Sequence, residues 1–237
     1  MGNIGSAATK AATVKTQNGA KNRRRFSPVI LLAVLACARS SPAQDEGQAP
    51  PPAVPARVLY SAPLAGEKIA VLPVTMVIAE PPLGTEAPFL DRTTLLRWTD
   101  SILQYALENR APEVEWVFPR DLRAIARRAP TVAPDPDRMG QSVMAAPRLD
   151  FMPDPLRSYA RSLVAIAGGR HLLIPAAATF ARNPAGDSVK VELSVVLADA
   201  RNGQVIWRTL ALGSGGTADL ALAEALRLML PLPQGSQ

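Results

Sequence analysis

The chain has 237 residues, 48% of them hydrophobic, which suits one folded domain plus a leader and excludes a disordered polymer. Its net charge of +6 and pI near 10.0 suggest an anionic partner. That charge is local, however: Lys10, Lys15, Lys21, Arg23, Arg24 and Arg25 all lie in residues 1–36, which hold no acid, and removing them leaves 20 basic against 20 acidic groups. The remainder is neutral, and no Lys/Arg cluster with interleaved aromatics follows Arg25, so no nucleic-acid partner is expected.

Residues 1–36 read as a signal peptide. A basic cluster precedes the apolar run Val29–Ala36, which is far shorter than the roughly 20 residues a membrane-spanning helix needs. Val34-Leu35-Ala36-Cys37 resembles a lipobox, in which cleavage after Ala36 leaves a lipidated Cys37 at the new N-terminus. Ala36-Cys37-Ala38 equally fits ordinary small-x-small cleavage, which gives a soluble periplasmic product. Cys37 is the sole cysteine; it has no partner for an internal disulfide, and an unpaired thiol is a liability in an oxidising compartment, so lipidation gives it a purpose. Ala38, where an acid would signal inner-membrane retention, points to the outer membrane. Arg23-Arg24-Arg25-Phe26 fits a twin-arginine pattern, with the general secretory route as the default. The long polar stretch before Lys21 is consistent with a start codon placed too far upstream. Residues 37–60, rich in Pro, Ser and Gln, read as a tether between lipid and domain.

The domain is expected over 61–232, with a tail at 233–237. Glu67–Ile78 predicts one strand covered on both faces. Asp91–Asn109 predicts a helix capped by Asp91, with Leu95, Leu96, Trp98, Ile102, Leu103, Ala106 and Leu107 inward. Val114–Phe118 is a short strand, and Pro119 opens a helix that buries Leu122, Ile125 and Ala126. Within 131–153, Asp135-Pro136 followed by Met139, Val143 and Met144 predicts a short helix, against an irregular covering loop. Asp154–Ala167 is a helix with Leu156, Tyr159, Ala160, Leu163 and Val164 inward, stopped by Gly168-Gly169.

Three strands follow, His171–Ala181, Ser188–Asp199 and Gln204–Leu212, the last two joined by the hairpin signal Asn202-Gly203. A final helix, Thr217–Leu230, sets Leu220, Leu226 and Leu230 on the sheet. The expected fold is α/β (α+β): a mixed sheet of about five strands with a C-terminal antiparallel meander and helices packed on it.

The runs Ile69–Val74, Val114–Leu122, Gly169–Pro175 and Val195–Arg208, spaced by helices, resemble the periplasmic domain shared by the curli-secretion lipoprotein CsgG, the penicillin-binding-protein activator LpoB and the N-terminal part of TolB. Asp199-Ala-Arg-Asn-Gly-Gln-Val-Ile-Trp207 is the most telling piece. The resemblance implies a non-enzymatic envelope domain that binds another envelope protein. CsgG adds transmembrane hairpins that have no counterpart here, and TolB continues into a propeller for which no sequence follows the last helix, so the LpoB-like reading fits best. A soluble periplasmic small-ligand binder or enzyme, and a ring-forming secretion accessory that is a homo-oligomer, are the alternatives.

No cofactor or metal is expected. Gly213-Ser-Gly215-Gly-Thr-Ala218 imitates a dinucleotide loop but lacks the strand and acid that must follow it, so a flexible strand-to-helix turn is expected. His171 is the single histidine and reads as a packed or edge residue; with Asp199 it suggests half a triad, but no nucleophile elbow exists. Glu113 and Glu115 are read as solvent-exposed acids on one strand face. Trp98, Trp116 and Trp207 read as core.

Overall fold

The computed structural model describes residues 57–184 and 186–232. The expected leader, most of the tether, Ala36, Cys37 and the tail at 233–237 lie outside the described residues. Ten regular elements follow in chain order: β1 (Lys68–Val71), β2 (Val77–Ala79), α1 (Arg92–Arg110), β3 (Glu115–Val117), α2 (Pro119–Arg128), α3 (Leu156–Ala167), β4 (His171–Arg182), β5 (Val189–Asp199), β6 (Val205–Gly215) and α4 (Ala218–Met229).

The strands form one mixed sheet in the order β3-β1-β4-β5-β6, with β2 also paired to β4. β1 runs parallel to β3 and β4, as does β2 to β4, whereas β4-β5-β6 is an antiparallel meander. The fold is therefore α+β, with the expected C-terminal meander. Six strands replace five because Glu67–Ile78 is not one strand. Pro73 has no N–H to give to a ladder, and the next N–H, that of Val74, donates to Asp100 Oδ1 at 2.8 Å. The chain leaves the sheet there and re-enters as β2, against the far half of the same β4, with Ile78 opposite Thr179.

Both faces of the sheet are covered where β4 begins. On one face α1 and α4 set Leu103, Leu107, Leu222 and Leu226 against Val191, Leu193 and Val195. On the other, Leu122 of α2 and Ala160, Leu163 and Val164 of α3 join Met139, Met144 and Met152 over Leu172, Ile174, Val196 and Ala198. Towards the other end of the meander this second cover runs out, and Lys190 and Glu192 on β5 are exposed while Val189 and Val191 stay buried. The fading alternation along β5 thus records where the second layer stops.

Local signals account for the element ends. Asp91 accepts from Thr94 N at 2.6 Å and caps α1, and Thr217 accepts from Leu220 N at the start of α4. Gly168 and Gly169 both take positive φ, and at Gly169 a side chain would collide with the Lys68 carbonyl, so the stop of α3 also lets it lie against β1. Two inward residues were misplaced by periodicity: Tyr159 is 40% and Leu220 59% exposed, because each sits at the edge of its helix's apolar stripe. The helix expected near Asp135 is instead two 3-10 turns, Pro136–Arg138 and Gln141–Ala145. Asp135 does cap the first, accepting from Asp137 N, but Gly140 at φ 75° breaks the path between them.

Candidate functional site

The carboxyl ends of parallel strands are where open α/β sheets usually place their chemistry. Here the end of β1 meets α1, α2 and the covering segment in a polar joint. Asp100, only 10% exposed, accepts from Val74 N at 2.8 Å and from Arg123 Nη2 at 3.1 Å. Arg123 also grips Asp137 through Nε (2.8 Å) and Nη2 (2.7 Å), a bidentate pair. Gln141, fully buried, donates from Nε2 to Pro73 O (3.0 Å) and Pro136 O (2.9 Å), and its Oε1 has no hydrogen-bond partner among the described residues.

Burial raises the pKa of Asp100, opposed by its bonds to Val74 N and Arg123; the bonds to Asp137 outweigh burial at Arg123 and raise the guanidinium's pKa. A hollow of about 410 Å³ lies beside the joint, bounded by Arg123, Arg127, Pro130, Pro136 and Asp137. With both carboxylates already on its guanidinium, Arg123 is a cross-brace between helices and loop rather than a free anion receptor. No motif announces this joint, since its members come from four segments. Its one signal is Asp100 itself, an acid in the apolar stripe that runs through Leu96, Leu103 and Leu107.

His171 and Asp199 lie opposite each other across β4 and β5, but their side chains are committed to different partners. His171 Nδ1 faces Glu67 Oε2, while Asp199 binds Arg170 (Nε 2.8 Å, Nη2 2.6 Å) and accepts from Arg201 N at 2.8 Å. Burial works against the charge on Asp199, but these bonds outweigh it and lower the carboxyl's pKa. His171 is not an edge residue: β4 lies between β1 and β5, and the side chain is mostly buried. Glu113 and Glu115 do not share a strand face, because β3 begins at Glu115, whose carboxylate pairs with Lys68 Nζ at 2.9 Å. The three tryptophans are half-buried against the α1/α4 core, with their N–H groups on Asp219, Ala111 O and Val58 O.

The glycine run is not a flexible turn. Gly213 and Gly215 lie inside β6, and a Cβ on Gly213 would sit 2.1 Å from Ala221 O, one on Gly215 2.6 Å from Leu220 Cβ. They let α4 press onto the strand, where periodicity alone cannot see the neighbour.

The run Asp199–Arg208, which carries the family resemblance, is a structural hinge pin. Asn202 Oδ1 accepts from Gln204 N, and Gly203 takes φ 83°. Arg208 turns into the fold and donates to three backbone carbonyls, those of Met144 and Ala146 (2.6 Å each) and Leu149 (2.8 Å). Burial lowers the pKa of its guanidinium. One side chain thus fastens the irregular covering segment to the meander.

No protein-family model matches the chain, and no curated protein does. Solved structures do. The chain is similar to the LpoB C-terminal domain from Salmonella enterica (16% identity, 65% of this chain and 84% of that one, TM-score 0.33). It is likewise similar to lipoprotein GNA1162 from Neisseria meningitidis (16% identity, 64% and 82%, TM-score 0.33) and to a PelC dodecamer from Paraburkholderia phytofirmans (16% identity, 75% and 92%, TM-score 0.35). Of the resemblances read from the sequence, LpoB is the one that recurs among these structures, and at this distance none of their properties transfers to this chain. No helix of the described residues is long and apolar enough to cross a membrane.

Proposed function

We propose that the chain is an exported cell-envelope lipoprotein, anchored in the outer membrane through lipid on Cys37 and facing the periplasm, whose domain binds another envelope protein without catalysis of its own. The observation that carries this reading is the order of its first 40 residues: basic cluster, short apolar run, Ala36, then the sole cysteine. The non-catalytic part is supported by how the reactive side chains are used. Asp100, Arg123, Asp137, Asp199 and Arg208 are all committed to bonds between segments of the fold. A hollow between α1 and α4, about 260 Å³, carries the exposed Tyr105 beside Ile102 and Leu232. Aromatic groups at an apolar hollow are what protein partners use as anchors.

Cells fed labelled palmitate should incorporate it into the wild-type chain and not into Cys37→Ser. Cross-linking in intact envelopes should then recover one recurrent partner, in lower yield from Cys37→Ser and from Tyr105→Ala. Label in neither form refutes the anchor, and recovery of the uncross-linked chain alone refutes the partner.

A further inference from the structure

The chain after the leader is neutral in sum, but the fold does not spread its charge evenly. Residues 119–170, which form α2, α3 and the covering segment between them, hold nine arginines, no lysine and five acids, a net charge of +4. Residues 57–118 and 171–232 together hold ten basic and thirteen acidic groups, a net charge of −3. One layer of the domain is positive and the remainder is negative.

The unspent part of that charge lies on the outer surface of α2. Leu122 is fully buried beneath the helix, with Ile125 and Ala126 packed beside it. At about 100° per residue the opposite line of the helix carries Arg120 and Arg127, about two turns apart, with Arg128 next to them. All three are exposed, and among the described residues no carboxylate pairs with any of them; Arg128 Nε donates to Ala124 O. Arg123, Arg157 and Arg170, by contrast, are held by aspartates. The one acid of α2, Asp121, sits in its first turn.

α3 lies against α2, with α2 on the β1 side and α3 over β4. On one flank of α3 Arg161 donates to Arg201 O, so that flank faces the β5–β6 turn, away from α2. The other flank carries Tyr159 and Ile166, about two turns apart on one line, and faces α2. They are 40% and 42% exposed. The surface shared by the two helices is thus a row of guanidiniums beside two exposed apolar side chains.

We propose that this surface docks on an anionic phospholipid bilayer, with Arg120, Arg127 and Arg128 on lipid phosphates and Tyr159 and Ile166 at the level of the headgroups. Guanidiniums bind phosphate oxygens through charge-assisted hydrogen bonds, and the negative potential of such a surface draws each of them in. Tyrosine is a residue of the membrane–water interface. No bond orients Arg120 or Arg127, and a fluid layer of phosphates requires none, whereas a folded acidic partner is matched by braced side chains such as Arg123. Docked in this way, the opposite face of the sheet, with α1, α4 and the Tyr105 hollow, turns away from the bilayer and stays open to a protein partner. The inference needs neither the lipid at Cys37 nor that partner.

Both core clusters draw every member from residues 59–230, so residues 38–237 carry the fold without the leader's own basic cluster. This chain is sedimented with vesicles of phosphatidylcholine alone, or of phosphatidylcholine with roughly one third phosphatidylglycerol. It should bind the second kind at low salt and be released as salt rises. Arg120→Glu with Arg127→Glu should weaken binding about tenfold or more, while Arg57→Glu with Arg97→Glu, an equal change of net charge outside this layer, should alter it about twofold or less. Circular dichroism confirms that each variant is folded. Equal loss from both pairs, or equal binding to vesicles of phosphatidylcholine alone, overturns the proposal. So does displacement by soluble poly-glutamate at a charge equal to that of the vesicles, which assigns the surface to an acidic protein.

Discussion

The two layers that cover the sheet are built by different means. The α1/α4 layer is two regular helices with continuous apolar stripes, drawn down onto the strands at Gly213 and Gly215. The α2/α3 layer has shorter helices and fills the remaining area with the irregular segment 131–153, whose three methionines reach the core only because polar groups hold their backbone. Arg208, Gln141 and the Asp100–Arg123–Asp137 brace are those groups. One layer rests on shape and the other on buried hydrogen bonds, so the two should fail in different ways.

The largest expected difference comes from Arg208→Ala, which strips one buried and two half-buried carbonyls of their donor and should cost about 3 kcal/mol in denaturant unfolding. Hydrogen exchange should rise across 141–149 and leave α4 unchanged; Arg208→Lys, with no planar fork, should recover little. Gly213→Val attacks the other layer. Its side chain meets the backbone of α4, and a loss of about 2 kcal/mol is expected, with exchange rising in 218–229 and not in 141–149.

Two carboxylates respond to pH in opposite directions. Burial raises the pKa of Asp100, so the folded chain binds its proton more readily than the unfolded one, and this group's contribution to stability increases as pH falls from neutral towards about 4. Asp199 has a lowered pKa; its contribution is complete above about 4 and is lost as pH falls through its own value. In a pH series of unfolding midpoints, Asp100→Asn should remove the first trend and Asp199→Asn the second. The smallest effect belongs to Trp98→Phe, which keeps the ring contacts with Phe89 and Phe180 but loses the bond to Asp219, worth about 1 kcal/mol or less.

The same contrast governs what could be read from sequence. The shape-built layer was legible, since α1 announces itself by Asp91 and its stripe and the meander by Asn202-Gly203. In the bond-built layer α2 and α3 were legible, from Pro119 and from Gly168-Gly169, but the bonds that hold the segment 131–153 were not. Pro73 ends β1 in concert with Asp100 and Gln141, which lie 26 and 68 residues away from the atoms they bind, and no window along the chain contains them together. Arg208 was visible only as part of a family-like run, and its partners lie about 60 residues upstream. Gly213 and Gly215 were noticed for the wrong reason, because glycine spacing records a close approach without saying what approaches.

The reading of the whole chain turns on what becomes of Cys37. Intact-mass analysis of the protein isolated from envelopes should find a mature chain beginning at Cys37 with the added mass of a diacylglycerol and an acyl group. A mature chain beginning at Arg39, or a Cys37 that retains its free thiol, would contradict the lipid anchor.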